Sequence, residues 1–346
     1  MSMAHARKIR VAGVGAGYFS RFQYRAWSRI PEVALVGICN RTLGPAQAFA
    51  AEFAIPAAFD ELPRMLDETA PELLDIITPP ETHLAAIDAA AARGIDVVCQ
   101  KPFCRTLAEA RQAVALAGAA GISVTIHENF RFQPWYREIR RCLDEGLLGQ
   151  VYQATFRLRP GDGRGARAYL DRQPYFQIMP RLLVHETAIH LIDTFRYLFG
   201  EASSVFAALR KLNPVIAGED SGLIVLDMAS GVRCLFDGNR LSDHKANNRR
   251  LTMGEMLIEG ENGVLTLDGD GGLAFRPHGD NVARRIDYDW ADTDFGGDCV
   301  YRLQRHVIDN RLGRGDMENA AGAYLVNIAI EEAVYVSDAE GRRIAT

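Results

Sequence analysis

The chain has 346 residues, of which 48% are hydrophobic, and its net charge at pH 7 is −5. This length exceeds what one hydrophobic core comfortably serves, so two domains are expected. The acidic balance argues against nucleic-acid binding, because a protein that neutralises phosphates needs an excess of basic residues. The most apolar window, residues 113–126, is shorter than the roughly 20 residues that span a bilayer, so no membrane contact is expected.

The six cysteines are scattered without a CxxC pair, which indicates buried thiols in a reducing compartment. The opening segment, residues 1–10, has no apolar signal core and no cleavage site before the first glycine turn. Both features predict a cytoplasmic protein.

A short apolar run, a glycine-rich turn and a helical pattern follow one another near the start of the chain. Gly13 and Gly15 lack a Cβ, so the backbone can approach a pyrophosphate, and the next helix would direct its free N–H groups at the anion. Tyr18 stands where a third glycine is usual, so the packing of helix on strand should differ slightly. The residues expected to bind a dinucleotide here are Gly13, Gly15, Ala16, Gly17, Tyr18 and Phe19.

Residues 33–39 form a continuous apolar run, as in a strand that is covered on both faces. Asn40 and Arg41 follow it, where a carboxylate would select NAD or an arginine would accommodate NADP. The pair Asn40-Arg41 fits neither the carboxylate pattern of NAD enzymes nor the arginine pattern of NADP enzymes fully. Asn40 can hydrogen-bond ribose hydroxyls and Arg41 can stack on adenine or meet a phosphate, so NAD is the expected cofactor and NADP the alternative.

Helical and strand patterns then alternate, which predicts repeated βαβ units and a doubly wound parallel sheet. Thr78, Pro79 and Pro80 end one strand and His83 opens the next helix. The strand at residues 95–100 leads directly into Lys101, at the edge where open α/β sheets bind ligands. A helix over 107–120 and a strand over 122–126 complete a dinucleotide-binding Rossmann domain, residues 1–128.

The second half changes to well-separated strand patterns, which predict an α+β domain on a largely antiparallel open sheet. This domain comprises residues 129–346. One strong helical pattern, residues 183–199, interrupts the strands, and the tail from 300 to 336 reads as helices around a glycine turn.

The helical pattern at 183–199 carries ionisable side chains on its apolar stripe. His185 and His190 are five residues apart, and on an α-helix they point about 140° apart, which excludes one shared metal. Glu186 and His190 are four apart and share a face. A carboxylate beside a histidine is typical of a general base, although such a pair is also common on helix surfaces without any role in catalysis.

Taken together, these motifs resemble the Gfo/Idh/MocA oxidoreductases over nearly the whole chain. Gln100-Lys101-Pro102 is similar to the family's Glu-Lys-Pro signature, with the acid replaced by its amide. Glu186, His190 and Asp193 are similar to its Asp-x-x-x-His-x-x-Asp pattern, with Glu for the first Asp. The resemblance implies that Lys101 and His190 are catalytic, with Glu186 as the acidic neighbour of the histidine.

Further site residues are expected, some from the resemblance and others from the chemistry of their side chains. Those expected at the cofactor, besides the glycine turn and residues 40 and 41, are Thr78, Pro79, Pro80, His83, Gln100, Lys101 and Asn129. Those expected at the substrate are Lys101, Asn129, Arg131, Arg159, His185, Glu186 and His190, with Trp135 and Tyr136 as stacking faces. No metal is expected.

The implied activity is NAD(P)-dependent oxidation of a hydroxyl of a small sugar, from aldose to lactone, with D-apiose as the leading candidate. Three alternatives stay open: an inositol dehydrogenase, a reductase of a carboxylated molecule bound by the arginines between 157 and 181, and a non-catalytic dinucleotide sensor. The resemblance also implies that residues 129–346 bind substrate and form the contacts of a homo-oligomer, either a dimer or a tetramer.

Overall fold

The computed structural model describes residues 7–346, so six residues of the opening segment considered above lie outside it. The described chain forms two compact units. The first comprises residues up to 128 together with 300–326, and the second comprises 129–299 together with 327–346. The division at residue 128 coincides with the predicted one, but residues 300–326 belong to the first unit, whereas the prediction placed them in the second.

Segment 300–326 is held to the first unit by ion pairs and backbone bonds. Arg305 donates to the Glu32 carboxylate at 2.6 Å, and Arg311 pairs with Asp96. The backbone N–H of Ile126 donates to the carbonyl of Asn319 at 2.8 Å. These partners are far apart in sequence, so the strand and helix patterns do not reveal that the chain returns to its first unit.

The first unit contains a six-stranded parallel sheet in the order β3-β2-β1-β4-β5-β6. The order reverses between β1 and β4, which opens a ligand crevice at the carboxyl ends of these strands. The predicted doubly wound sheet is confirmed. Its strands are β1 (Ile9–Val14), β2 (Val33–Cys39), β3 (Ala58–Phe59), β4 (Leu73–Ile76), β5 (Asp96–Gln100) and β6 (Val124–His127).

Five helices connect these strands. The apolar face of the first helix buries Tyr24 and Trp27 completely against the sheet. The fifth begins where the Thr106 hydroxyl accepts from the Glu109 N–H at 3.1 Å, and it ends at Gly121, whose φ of 69° suits glycine. The helices are α1 (Ser20–Ser28), α2 (Leu43–Glu52), α3 (Leu62–Thr69), α4 (His83–Ala91) and α5 (Leu107–Ala120).

The second unit is built on a nine-stranded sheet in the order β14-β13-β12-β11-β7-β10-β9-β8-β15. Only the pair β7 and β10 is parallel among the described strand pairs of this sheet, so the predicted largely antiparallel sheet is confirmed. Its strands are β7 (Val151–Leu158), β8 (Ala202–Arg210), β9 (Ser221–Met228), β10 (Arg233–Asn239), β11 (Gly254–Gly260), β12 (Gly263–Leu267), β13 (Leu273–Pro277), β14 (Arg284–Ile286) and β15 (Ile344–Ala345).

Helices cover one face of this sheet. Phe156 and Phe236 alternate with half-exposed residues along their strands and join the same buried core as Ile139, Phe195 and Val334 of the helices. Helices α6 (Pro134–Asp144) and α7 (Ile189–Phe199) belong to this unit, as do residues 327–340 of α9 (Ala321–Glu340). Residues 300–311 of α8 (Cys299–Arg311) belong to the first unit. None of the helices within residues 7–346 is both long and apolar enough to cross a membrane.

Candidate active site

Two glycines of the predicted nucleotide turn stand where a side chain would not fit. Gly15 has a φ of 120°, and a Cβ there would lie 2.6 Å from the carbonyl oxygen of Ile77. A Cβ on Gly13 would lie 2.4 Å from the hydroxyl oxygen of Tyr24. That hydroxyl donates to the carbonyl of Gly15 at 3.1 Å, so Tyr24 supports the turn from beneath. Both positions therefore require glycine, because Tyr24 and the backbone of Ile77 occupy the space of a side chain.

The third glycine of this turn has no such constraint. A Cβ on Gly17 would meet only the Ser20 hydroxyl oxygen, at 3.9 Å, and the Gly17 N–H donates to that oxygen at 3.0 Å. Tyr18 is half-exposed at the usual third-glycine position. The close contact of helix and strand is made instead where Tyr24 lies over Gly13. No side chain caps the N-terminus of α1.

The residues after β2 form a bridge to the nucleotide turn. The side-chain oxygen of Asn40 accepts from the Ala16 N–H at 3.2 Å, and its amide nitrogen donates to the Thr42 carbonyl at 3.1 Å. Arg41 is exposed beside it. The amide of Asn40 thus orders the turn itself, a role that the sequence did not suggest.

The turn after β4 is fixed by a buried histidine. The Nε2 of His83 lies 2.7 Å from the carbonyl oxygen of Thr78, and its Nδ1 lies 2.8 Å from that of Phe103. Burial lowers the pKa of His83. Because the ring is fully buried between two backbone segments, it positions the turn at Thr78, Pro79 and Pro80, and direct contact of His83 with a cofactor is not favoured.

The segment after β5 carries the predicted catalytic lysine. The side-chain oxygen of Gln100 accepts from the Lys101 N–H at 2.8 Å, and the Lys101–Pro102 peptide bond is cis. The side-chain nitrogen of Gln100 is buried and has no hydrogen-bond partner within the protein. An unpartnered buried donor at the carboxyl edge of the sheet is a group that a ligand would satisfy.

The first unit thus fits a dinucleotide on three observations: a turn whose Gly13 and Gly15 leave no room for a side chain, an uncapped helix N-terminus, and the unpartnered nitrogen of Gln100. All three lie at the carboxyl ends of neighbouring parallel strands, where open α/β sheets bind nucleotides.

In the second unit, the helical pattern that begins at residue 183 does not start as an α-helix. Leu183–Ala188 form a π-helix, here called the π-turn, in which the Ile189 N–H donates to the carbonyl of Val184, five residues back. The α-helical angles used in the sequence analysis to compare His185, Glu186 and His190 therefore do not apply to this turn. π-helical turns are rare and frequent at functional sites.

His190 follows the π-turn and is almost fully buried. Its ring stacks on Phe130, with ring centroids 3.9 Å apart and planes inclined by 3°. Phe130 belongs to the buried core, so the plane of the imidazole is fixed. A histidine held in one orientation suits proton transfer along a defined direction.

Glu186 is half-buried in the π-turn, and its charge acts on Tyr175, a residue that the sequence analysis missed. Partial burial, followed by the charge of Glu186, raises the pKa of Tyr175 to about 12. Tyr175 lies in a 3₁₀ turn, Pro174–Gln177, which Phe176 anchors in a small apolar cluster. The available signal in the sequence was the pair of adjacent aromatic residues, Tyr175 and Phe176.

Two arginines expected at the substrate have protein partners. Arg131 donates through two nitrogens to the buried Asp193 carboxylate, at 2.5 and 2.7 Å, and Asn327 donates to the same carboxylate at 2.7 Å. Arg159 donates to the carbonyl and carboxylate oxygens of Asp237, at 2.6 and 2.5 Å. Both guanidinium groups stabilise the fold, because bidentate and charge-assisted bonds already hold them.

The remaining predicted substrate residues divide into buried and accessible ones. Asn129 is buried and its amide nitrogen donates to the thiol of Cys299 at 3.1 Å. Trp135 and Tyr136 are fully buried in the core, so neither can be a stacking face for a ligand. His185 keeps part of its surface exposed in the π-turn.

The sequence analysis also missed the groups that hold the π-turn in place. Arg240 is fully buried and donates to the hydroxyl of Thr187 at 2.7 Å, while its other side binds Asp162 at 2.8 Å. The Val184 N–H donates to the side chain of Glu219 at 3.0 Å. Among the described residues, no group of three or more His, Cys, Asp or Glu side chains is arranged to hold a metal ion.

Comparisons with known proteins agree with both units. The oxidoreductase family with an NAD-binding Rossmann fold matches residues 9–128, and the GFO/IDH/MocA C-terminal domain matches residues 136–266. A D-apiose dehydrogenase of Paraburkholderia graminis is 30% identical and covers 98% of this chain and 90% of its own. A second D-apiose dehydrogenase, from Rhizobium rhizogenes, is 25% identical and covers 97% of each chain.

Among solved structures, an oxidoreductase from Agrobacterium radiobacter in complex with NAD+, L-tartaric acid and magnesium superposes with a TM-score of 0.88. The two proteins are 25% identical, and the match covers 98% of each chain. The chain therefore belongs to the Gfo/Idh/MocA family of oxidoreductases, and its first unit is the NAD-binding Rossmann fold of that family.

Proposed function

We propose that this protein uses NAD to oxidise a free aldose at its anomeric hydroxyl to a lactone, and that D-apiose is the first substrate to test. As a member of its family, it is an NAD-dependent oxidoreductase that acts on CH–OH groups of sugars or polyols. The narrower proposal has two supports: the names of the two relatives and, as its main structural observation, the buried His190 held in one plane by Phe130.

Alcohol oxidation needs an acceptor for the hydroxyl proton as the hydride leaves carbon. Histidine changes its charge near neutral pH, so the neutral imidazole of His190 accepts that proton. Glu186, on the preceding turn, stabilises the imidazolium that results. The ammonium of Lys101, at the end of β5, stabilises the negative charge that develops on the substrate oxygen. Bound NAD supplies the hydride acceptor.

The alternatives are less well supported. An acid reductase needs arginines available for a carboxylate, yet Arg157, Arg159, Arg164, Arg167, Arg172 and Arg181 each pair with a carboxylate of the protein. A non-catalytic sensor has no need for Lys101, Glu186 and His190 together. An inositol dehydrogenase differs only in substrate, and the experiment below includes it.

The test is NAD reduction, followed at 340 nm, with a panel of aldoses, inositols and hydroxy acids. D-apiose or another aldose should give the highest kcat/KM, and Lys101→Met should bind NAD normally while losing about 10²- to 10⁴-fold in rate. Turnover of inositols alone would replace the aldose proposal. Turnover of no compound, with NAD still bound, would favour the sensor.

We propose, in addition, that the protein forms a homo-oligomer through the outer face of its nine-stranded sheet, the face opposite the helices. Half-exposed and exposed residues in cross-strand register form a row of low polarity across this face: Val225, Leu235, Thr155, Leu257 and Thr266. Charged residues flank the row, as at a core and rim of an interface.

Light scattering should give a multiple of the 38.2 kDa chain mass. Leu257→Glu, which places a charge in the middle of the row, should lower that mass. Val282→Glu changes an exposed valine outside the row and serves as control. A monomeric parent protein would contradict the proposal.

A further inference from the structure

His185 in the π-turn is paired with a carboxylate from the C-terminal helix. Its Nδ1 lies 2.6 Å from a side-chain oxygen of Glu331 on α9. A carboxylate only accepts hydrogen bonds, so Nδ1 carries a proton in this pair. In the neutral ring, Nε2 is then the acceptor. The Glu331 side chain is 5% exposed and that of His185 is 19% exposed, so the ring extends from a buried anchor towards the surface.

Glu331 is one of three polar residues that repeat every fourth position on α9. Asn327 donates to the buried Asp193 carboxylate at 2.7 Å, four residues before it. The hydroxyl of Tyr335 donates to Glu219 at 2.8 Å, four residues after it. Residues four apart on a helix share a face, so α9 presents one polar face to the π-turn and to α7.

A buried carboxylate is costly unless hydrogen bonds compensate it, and an apolar pair of similar volume would join α9 to the π-turn at a lower cost. What the Glu331 carboxylate adds is a defined orientation and proton position for His185. Carboxylate partners of this kind fix the tautomer of a histidine whose other nitrogen contacts a ligand.

We infer that His185 forms a hydrogen bond through Nε2 with a substrate hydroxyl other than the one that is oxidised, and that Glu331 is its positioning residue. The inference rests on the proposed function, since it concerns the same substrate. His185 selects polyols that carry this second hydroxyl, while His190 transfers the proton. A site built to bind a hydroxyl rejects an analogue that lacks it, because its polar group stays unpaired.

The test compares the best substrate of the panel with its monodeoxy analogues. The parent protein should lose about 10- to 100-fold in kcat/KM on one analogue. His185→Ala should lose a similar factor on the full substrate, mainly through KM, and at most about threefold more on that analogue. His185→Gln, which keeps a polar side chain, replaces this variant if it does not fold.

Substitutions on α9 distinguish a role of Glu331 in positioning His185 from a role in packing the helix. Glu331→Ala should raise KM as His185→Ala does, and Glu331→Gln should restore it to within about fivefold, because the amide oxygen can accept from Nδ1. Glu332→Ala is the matched control. Glu332 is the next residue on α9 and pairs with Arg181 at 2.8 Å, so KM should stay within about twofold.

Two results have distinct consequences. If His185→Ala lowers kcat/KM by the same factor on the full substrate and on every monodeoxy analogue, His185 binds no substrate hydroxyl and the inference is overturned. If the parent protein turns over no polyol at all, the proposed function fails first, and this inference fails with it.

Discussion

The nucleotide turn of the first unit and the π-turn of the second are built in opposite ways. The nucleotide turn depends on missing atoms, since Gly13 and Gly15 leave room for Tyr24 and the backbone of Ile77. The π-turn depends on added side chains, which come from distant segments: the partner of His185 is 146 residues further along the chain. A turn that depends on glycines can be recognised from a short sequence pattern. A turn that depends on side chains from distant parts of the chain cannot.

The largest expected effect tests the second unit, where the proposed site depends on side chains. His190→Ala should reduce kcat by about 10²- to 10⁴-fold, because it removes the proton acceptor, while NAD affinity stays within about twofold. Oxidation by the parent protein should rise with pH through one ionisation, which the variant should lack. The measurements are the pH profile of kcat and a binding titration with NAD.

His244→Ala is the control for the loss of a buried imidazole, since His244 lies in the second unit and bonds the carbonyl of Arg159 at 2.7 Å. Its pH profile should keep the shape of the parent profile. A parent-like profile in His190→Ala would contradict the assignment of the base.

This contrast explains how much the sequence could predict. The parallel sheet, the largely antiparallel sheet and the glycine turn follow from local periodicity, and all are present. The support of His190 by Phe130, the capture of Arg131 by Asp193, and the return of residues 300–326 to the first unit depend on tertiary contacts. The π-turn was also not predicted, since the sequence analysis treated residues 183–199 as one α-helical pattern.

The next prediction tests whether the first unit also contains a hidden side-chain network. Asp75 pairs in register with Gly13, is fully buried, and accepts from the indole N–H of Trp27 at 2.7 Å. Burial raises its pKa from 3.8 to about 7. Between pH 3.8 and 7 the folded protein therefore binds up to one proton more than the unfolded chain. The free energy of unfolding falls as the pH rises through this range, so the stability that protonated Asp75 contributes is complete below pH 4 and is lost as the pH rises to 7.

Asp75→Asn keeps an acceptor for Trp27 and cannot ionise. Relative to the parent protein, it should gain on the order of 2–4 kcal/mol in unfolding free energy at pH 8 and little at pH 4, measured by urea unfolding. Asp88→Asn, on the exposed face of α4, should show no such pH-dependent difference. A constant difference for Asp75→Asn between pH 4 and 8 would show that Asp75 does not titrate as the burial implies.

A pair of glycine variants tests the backbone half of the comparison. Gly15→Ala places a Cβ against the carbonyl of Ile77 in a backbone conformation that disfavours side chains, so it should cost about 1–3 kcal/mol in stability and weaken NAD binding. Gly17→Ala adds the same methyl group where only the Ser20 hydroxyl lies within 4 Å, and should leave both quantities nearly unchanged. Equal effects of the two variants would mean that open space is not what the turn requires.

The smallest expected effect lies where backbone and side chain meet, at Asn40. Its side-chain oxygen accepts from the Ala16 N–H of the nucleotide turn, and an aspartate at this position keeps that acceptor. It loses only the donation to Thr42. Asn40→Asp should therefore retain NAD turnover and increase the preference for NAD over NADP by about tenfold, because a carboxylate repels the extra phosphate.

Asn40→Ser removes the amide without adding a charge and should leave the preference within about threefold. The measurement is kcat/KM for each cofactor at a fixed substrate concentration. If the parent protein used NADP more efficiently than NAD, the exposed Arg41 and not Asn40 would determine the cofactor preference.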